Sequence, residues 1–341
     1  MDKPRTSYID VLRIIAIICV LFNHQSIYSH FLDMPFPSVS GVLVMVFSII
    51  TKIGPPLFFM ISGALLLGKD EPYKQILRRR VLRILIVMAV RTVLILILMP
   101  ELRSQPIAVF MSGNIWFLYA YLGFLLMLPF LRLIAKNATQ KEQQIFITLS
   151  VICCLVSGIT QALGLAEGFT QFLPLNTSLA PKLCENIIFP LTGYFLYKGD
   201  ILKTGKDKAL LAASAALHLA VSAALIAVNM YAGNTEFEHM EALRMYFVLP
   251  LCTLVFVIAR DHISLKEKTA KITAQMAGVV FGIFILDTTL FPARDIENAI
   301  ADLIPGIPLF INCTFVVLAE FIAFGAITYL LRLIPPVKKI L

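Results

Sequence analysis

Long apolar stretches separated by short polar segments recur along almost the whole chain. Stretches of roughly 17–25 mostly apolar residues are long enough to cross a bilayer as helices. We predict ten such spans, of which the sixth and the eighth are short. They are 9–29, 42–68, 84–100, 114–131, 145–165, 184–198, 209–231, 245–259, 276–292 and 309–331. The pattern therefore predicts an all-α polytopic membrane protein whose transmembrane helices form a single domain over residues 1–341.

The composition agrees with this architecture. Of the 341 residues, 59% are hydrophobic and 15% are charged, and the mean hydropathy is +0.85. Soluble domains are about 45–50% apolar and about 25% charged. These values exclude a disordered tail, a disulfide-rich secreted scaffold and an ordinary cytosolic enzyme. The six cysteines show no metal-ligand spacing, so we interpret them as small packing residues and expect no metal.

The basic residues predict the orientation of the chain. The net charge of +8 would suggest a nucleic-acid partner for a soluble protein, but membrane proteins concentrate Lys and Arg in their cytoplasmic loops. If the N-terminus is cytoplasmic, 22 of the 29 basic residues fall on the cytoplasmic side, 4 on the other side and 3 within spans. We therefore expect both termini in the cytoplasm, a multi-pass protein of the inner or plasma membrane, contacts with membrane lipids and no nucleic-acid partner.

The first predicted span carries three ionisable residues, which are costly inside a membrane and therefore suggest function. Asp10 precedes Arg13 by three residues and is predicted to pair with it on one helix face. Arg13 and His24 are eleven residues apart, so they share a face and are separated by ~16 Å along the helix axis. The alternative for His24 is a histidine hydrogen-bonded between helices, and Arg13 alone could reach the cytoplasmic headgroups.

A basic run opens the third span on its cytoplasmic side. Part of this run is the expected positive-inside signal, together with contacts to anionic headgroups. Arg80 and Arg83, however, are three residues apart and predicted to share a helix face. Two guanidinium groups so placed suit bidentate phosphate recognition, which predicts a phosphorylated ligand on the cytoplasmic side.

Tandem prolines interrupt the second span. Pro55 and Pro56 each lack a backbone donor, so they free carbonyl groups that must be satisfied inside the protein. Lys52 lies one turn before Pro56, and a simple helix kink does not explain a lysine at this depth. Arg91 and Asp287 are two further charges within spans, and no partner for either is evident from the sequence.

Together these motifs resemble the membrane acyltransferase-3 family of bacterial O-acyltransferases. The resemblance covers essentially the whole chain. The segment Tyr8–Arg13, followed by ten residues and His24, is similar to the first-helix Arg-x10-His signature of that family. Similar motifs are Pro56–Gly63 in the second helix, Arg80-Val81-Leu82-Arg83 as Arg-x-x-Arg, and Trp116–Tyr119 in the fourth helix.

The chain departs from the family pattern in two places. Lys52 stands where an arginine usually precedes the second-helix motif, which keeps the charge but loses the bidentate fork. Asp287 ends a stretch in which the family commonly has a histidine, so the role of that histidine is not transferred. The departure at Asp287 leaves room for a catalytically silent homologue that serves as a structural subunit.

The resemblance implies an O-acetyltransferase that moves an acetyl or other acyl group from cytoplasmic acetyl-CoA to a hydroxyl of a cell-envelope glycan or lipid-linked sugar. Arg80 and Arg83 would bind the CoA phosphates. His24, with Arg13 and Asp10, would carry the chemistry as a general base or as a transient acyl carrier. Lys52, Ser62 and Trp116 are candidates for substrate or oxyanion contacts. The alternative is a glycolipid transporter or flippase, since broken helices and intramembrane charges also fit a transport pathway.

Overall fold

The structure is a computed structural model that describes residues 7–25, 32, 36–163, 184–290 and 309–340. Within these ranges the regular secondary structure is helical and contains no strand, which confirms the all-α prediction. The α-helices are α1 (Ser7–His24), α2 (Val39–Thr51), α3 (Gly54–Leu66), α4 (Tyr73–Ile76), α5 (Leu82–Leu98), α6 (Pro106–Phe110), α7 (Trp116–Asn137), α8 (Gln140–Ala162), α9 (Phe189–Lys198), α10 (Gly205–Tyr231), α11 (Phe237–Met245), α12 (Leu249–His262), α13 (Glu267–Leu290), α14 (Leu309–Leu331) and α15 (Pro335–Ile340). Short π-helical or 3₁₀ turns connect several of them: Leu77–Val81, Pro100–Ser104, Gly113–Ile115 and Cys184–Ile188.

Nine helical segments in the described part of the chain are long and apolar enough to cross a membrane. They are Ser7–His24, Val39–Leu66, Tyr73–Leu98, Pro106–Asn137, Gln140–Ala162, Gly205–Tyr231, His239–His262, Glu267–Leu290 and Phe310–Leu331. Each corresponds to one of the ten predicted spans. The sixth prediction, 184–198, corresponds to the shorter α9 and the π-helical turn before it. The predicted span ends at 26–29, 164–165 and 291–292 lie outside the described residues.

The chain forms two compact units. Unit 1 comprises Met1–Lys69 and Phe130–Leu265, and unit 2 comprises Asp70–Pro129 and Lys266–Leu341. Helix α7 contributes to both units, and the division falls at Pro129 inside it. Five of the six cysteines are described as buried and free, which agrees with their interpretation as packing residues.

Glycines allow the closest helix contact in unit 1. Helices α3 and α9 approach so closely that a Cβ at Gly63 would overlap the backbone of Pro190. In the reverse direction, a Cβ at Gly193 would overlap the backbone of Met60. Small residues at membrane helix contacts permit this approach, and the resulting van der Waals packing holds the helices together. Helix α3 also packs against α1 and α12, so it lies at the centre of unit 1.

The tandem prolines explain the break between α2 and α3. Pro55 and Pro56 occupy the first turn of α3, where a missing N–H costs least. Before them, the backbone N–H groups of Lys52 and Ile53 donate to the carbonyls three residues earlier, at Ile49 and Ile50. The prediction that the prolines interrupt this span is therefore confirmed.

Unit 2 is built around the packing of α13 against α14. Gly278 and Gly282 lie one turn apart on α13. Gly278 faces Arg332, the residue after α14, and Gly282 faces Thr328 within α14. A Cβ at Gly282 would overlap the Thr328 side chain, and a Cβ at Gly278 would come within 2.9 Å of Arg332 Nη1. The Arg332 guanidinium donates from Nη1 to the Gly278 carbonyl. Because Gly278 has no side chain, the long Arg332 side chain can reach the main chain of α13 at this position.

Candidate active site

The polar residues of the first span lie on one continuous helix, α1. Arg13 Nη1 donates to Asp10 Oδ1 at 3.0 Å, which confirms the predicted pair. Asp10 is 2% exposed, whereas Arg13 is half-buried. His24 is the last residue of the helix and is also half-buried. Because the helix is unbroken, His24 lies ~16 Å along the axis from Arg13.

A hydrogen bond ties the His24 end of α1 to the proline break. Pro55 lacks the N–H that would bond the carbonyl of Thr51, four residues earlier, so that oxygen needs another donor. Asn23 Nδ2 donates to Thr51 O at 2.7 Å and also to Cys19 O at 2.8 Å. The Asn23 side chain therefore links the residue before His24 to the residue before Lys52. We had not identified Asn23 from the sequence, although a polar residue beside His24 was visible there.

Lys52 belongs to a buried ionic cluster with two residues of α11. Lys52 is 6% exposed, and its Nζ lies 2.5 Å from Glu241 Oε1. The other oxygen of Glu241 accepts a hydrogen bond from Nη2 of Arg244, which is 1% exposed and donates from Nε to Met240 O at 3.2 Å. One carboxylate thus contacts two buried cations.

No pattern in the sequence connects Glu241 with Lys52, because 189 residues separate them. Arg244 is one of the four basic residues that the predicted topology places on the non-cytoplasmic side, and in the structure its side chain is buried. The available signal was the spacing of Glu241 and Arg244, which are three residues apart on a short helix. Ser62 lies in α3 of the same unit and is half-buried.

The two arginines of the Arg-x-x-Arg motif lie in unit 2, where a π-helical turn joins α4 to α5. Such turns occur often at functional sites. Arg80 ends the basic run of this turn, and its Nε lies 3.0 Å from Glu71 Oε2. Arg83 Nε donates to the carbonyl of Ile340, the last residue of α15, at 2.7 Å, and its guanidinium lies 5.6 Å from the centre of the Phe281 ring.

Arg332 joins this basic group, and we had not singled it out from the sequence. Both Arg80 and Arg332 lie close enough to Arg83 to interact with it electrostatically, and so does the phenol of Tyr121. Arg332 is half-buried beside Gly278. The three guanidinium groups of this cluster, Arg80, Arg83 and Arg332, give one end of unit 2 a concentrated positive charge that suits phosphate oxygens.

Trp116 is the first residue of α7 and is half-buried. Its ring meets the Phe117 ring edge to face, with the two ring centres 6.2 Å apart, and the Phe117 ring in turn meets the Phe284 ring at 5.4 Å.

Two other charged residues that the sequence places within spans, Arg91 and Asp287, are buried in unit 2. Arg91 is 1% exposed and donates from Nη2 to the carbonyl of Thr288 at 2.9 Å, and Asp287, the residue before Thr288, is fully buried.

The predicted site residues are thus divided between the two units. Unit 1 holds Asp10, Arg13, His24, Lys52 and Ser62, and unit 2 holds Arg80, Arg83 and Trp116. The structure brings the His24 end of α1 to the proline break, and Lys52 at that break to Glu241. Within the described ranges, no group of three or more His, Cys, Asp or Glu side chains is arranged to hold a metal ion.

Comparison with known proteins gives one match. The acyltransferase-3 family model, described as an acyltransferase domain, matches residues 6–326, which is nearly the whole chain. No curated protein and no solved structure matches. The matched region contains every predicted site residue from Asp10 to Trp116, together with Glu241 and Arg244. The chain therefore belongs to the acyltransferase-3 family, and this membership together with its apolar helices indicates a membrane acyltransferase.

Proposed function

We propose that this protein is an O-acetyltransferase of the inner or plasma membrane. It takes an acetyl group from cytoplasmic acetyl-CoA and transfers it to a hydroxyl of a cell-envelope glycan or lipid-linked sugar. The observation that carries the proposal is the continuous α1, in which a salt-bridged Arg13 and a terminal His24 lie ~16 Å apart along one helix. The family match supports acyl transfer in general. The donor and the acceptor are our inference.

His24 is proposed to carry the chemistry of the transfer. As a general base, its imidazole takes the proton of the sugar hydroxyl, the hydroxyl oxygen attacks the thioester carbonyl, and the CoA thiolate leaves and is protonated. As an acyl carrier, the imidazole itself attacks the thioester, and the sugar hydroxyl then takes the acetyl group from it. Both routes give an acetyl ester and free CoA. The Asn23 bond to Thr51 fixes the helix end that carries His24.

Lys52 is proposed to stabilise the negative charge that develops on the carbonyl oxygen. Glu241 holds the Lys52 ammonium in place and partly offsets its charge. The Glu241 side chain is 31% exposed, so its contact with Lys52 and Arg244 leaves part of the carboxylate open to other groups. Glu241 is therefore a positioning residue for Lys52.

The donor is proposed to bind through the three guanidinium groups of unit 2. Arg80 and Arg83 offer planar forks that bind two phosphate oxygens at once, and Arg332 adds a third positive charge nearby. In the structure Arg80 contacts the Glu71 carboxylate, and Arg83 contacts a main-chain carbonyl. The phosphate groups of CoA carry several negatively charged acceptor oxygens, so donor binding would exchange these contacts for phosphate contacts.

The test is glycan acetylation in cells that carry His24→Gln. Glutamine keeps a polar side chain at this position but cannot take the proton or carry the acetyl group. We expect acetylation, read by mass spectrometry at matched membrane abundance, to fall at least about a hundredfold. His262→Gln is the matched control, because His262 also ends a helix, α12, and is exposed. Wild-type acetylation in His24→Gln would remove His24 from the chemistry and leave it as a packing residue.

The orientation needed for a cytoplasmic donor has its own test. Single cysteines at Asn137 and Gly205 are expected to react with impermeant thiol reagents only from the cytoplasmic side. A cysteine at Thr235 is expected to react only from the opposite side, as is one at Asn298, which lies outside the described residues. Labelling of all four positions from one side would overturn the proposed topology and with it the cytoplasmic donor.

A further inference from the structure

Arg91 is a buried cation that the proposed function does not use. It is the tenth residue of α5 and 1% exposed. Its Nη2 donates to Thr288 O at 2.9 Å. Its Nε and Nη1 atoms are also buried, and neither has a hydrogen-bond partner within the described ranges of the chain. A guanidinium has five N–H donors and cannot lose its charge, so several donors are open here.

The polar side chains around Arg91 do not use these donors. The Thr92 hydroxyl donates to Met88 O within α5, and the Thr288 hydroxyl bonds Phe284 O and Ile285 O within α13. The Tyr119 phenol is close enough to Arg91 to interact electrostatically, but it donates its proton to Phe110 O. Buried charged donors without acceptors are strongly unfavourable, so a residue kept in this state is expected to have a ligand.

The depth of Arg91 indicates which part of a ligand it meets. Arg91 lies eight residues beyond Arg83 and eleven beyond Arg80, which places it ~12–16 Å deeper along the helix. The pantetheine arm of CoA has twelve bonds between its phosphate oxygen and its sulfur, so at ordinary bond lengths it extends to roughly 15 Å. A donor held by its phosphates at Arg80 and Arg83 therefore brings its acyl end to the level of Arg91.

We propose that Arg91 is a further donor-binding residue, which holds the carbonyl oxygen of the acyl thioester at the end of the pantetheine arm. This inference rests on the proposed function, because it takes acetyl-CoA as the donor. The guanidinium has two edges, and the bond to Thr288 uses one N–H of Nη2, which leaves the other edge for the carbonyl oxygen. A neutral, flexible arm also suits a site inside a membrane better than the phosphates do.

The experiment compares two ligands on purified protein in detergent. Acetyl-CoA has both the nucleotide and the acylated arm, whereas adenosine 3′,5′-bisphosphate has the nucleotide end alone. We expect Arg91→Gln to weaken acetyl-CoA binding about tenfold or more and to leave the affinity for the bisphosphate unchanged. Arg83→Gln is the matched control on the same helix and is expected to weaken the binding of both ligands.

A second comparison, of acetyl-CoA with free CoA, tests the contact with the thioester carbonyl separately from contacts with the rest of the pantetheine arm. If Arg91 contacts the thioester carbonyl, any preference of the wild-type protein for acetyl-CoA over free CoA is expected to shrink in Arg91→Gln. Arg91→Lys keeps the charge and loses the planar edge, so we expect it to bind acetyl-CoA with intermediate affinity. This variant also provides a test if the glutamine variant does not fold.

Three results would overturn the proposal, and they are distinguishable. Equal weakening of both ligands by Arg91→Gln would show that Arg91 supports the fold through Thr288. Unchanged affinity for both ligands would show that its open donors take no part in donor binding. Failure of the wild-type protein to bind either ligand would instead reject acetyl-CoA as the donor, and the proposed function would fail together with the inference.

Discussion

In unit 1 Arg13 and Lys52 face carboxylates, whereas in unit 2 three arginines donate to main-chain carbonyls. Arg13 pairs with Asp10, and Lys52 shares Glu241 with Arg244. In unit 2, Arg83 donates to the carbonyl of Ile340, Arg91 to that of Thr288, and Arg332 to that of Gly278. A carboxylate neutralises its partner's charge, but a carbonyl leaves most of that charge in place.

This difference separates two uses of a buried cation. In unit 1 Arg13 has its own carboxylate partner, and Lys52 and Arg244 share one. These ion pairs hold the side chains in fixed positions, which suits the chemistry of acyl transfer. In unit 2 the main-chain carbonyls that accept from Arg83, Arg91 and Arg332 carry no formal negative charge, which favours an anionic or polar ligand near these guanidinium groups. If unit 1 carries out the transfer and unit 2 binds the donor, as proposed, substitutions in the two units are expected to have different consequences.

The largest expected effect concerns kinetics. We expect His24→Gln to lower the turnover rate at saturating acetyl-CoA by at least about a hundredfold, with little change in KM for acetyl-CoA. Arg83→Gln is expected to raise that KM by about tenfold or more and to change the turnover rate much less, because it removes a binding contact. Steady-state assays of CoA release measure both. The same kinetic defect in both variants would remove the division of roles between the units.

A second prediction compares the ion pairs of the two units by stability. Glu241→Gln removes the carboxylate from two buried cations, so we expect a loss of about 2–3 kcal/mol in the free energy of unfolding. Glu71→Gln breaks the partly exposed pair with Arg80 and is expected to cost less than about 1 kcal/mol. Unfolding in detergent micelles, followed by circular dichroism, measures both values.

The coupling of Glu241 to Lys52 can be isolated with a double-mutant cycle. In a Lys52→Met background, Glu241→Gln removes one fewer ionic contact, so we expect its cost to fall by about 1 kcal/mol or more. Arg244 still contacts Glu241 in that background, so part of the cost is expected to persist. If the effects of Lys52→Met and Glu241→Gln on the free energy of unfolding are additive, the contact between Lys52 and Glu241 contributes nothing to stability.

A further comparison of stability concerns the glycines that set helix spacing in the two units. Gly63→Ala places a methyl group against the backbone of Pro190, which cannot rotate away, so we expect a loss of about 2–3 kcal/mol. Gly325→Ala in unit 2 meets only side-chain atoms, of Ile283 and Val279, at ordinary contact distances of 3.7 and 3.9 Å. Its effect is expected to stay within about 1 kcal/mol, because the helical preference of alanine offsets minor crowding.

Thermal unfolding of the two glycine variants, compared with the wild-type protein in the same detergent, measures this difference. Similar stability for Gly63→Ala and Gly325→Ala would show that helices α3 and α9 separate easily, contrary to the close backbone contact that the structure shows.

The sequence determined those features that depend on local pattern. The length of the apolar stretches predicted ten spans, since crossing a bilayer requires a minimum length, and nine of them are helices long enough to cross a membrane in the described part of the chain. The spacing of Asp10 and Arg13 predicted their ion pair, because residues three apart on a helix are neighbours. The missing N–H groups of Pro55 and Pro56 predicted the break between α2 and α3.

The tertiary structure alone decided which distant residues meet. Glu241 contacts Lys52 across 189 residues, and no periodicity within one helix relates positions so far apart. The same holds for Asn23, which satisfies the Thr51 carbonyl, and for Arg332, which lies near Arg83. Arg91 shows the division most clearly. Its sequence position marked it as an intramembrane charge. Only the packing of α5 against α13 determined that its Nη2 donates to the Thr288 carbonyl. The same packing buries its Nε and Nη1, which have no hydrogen-bond partner in the described part of the chain.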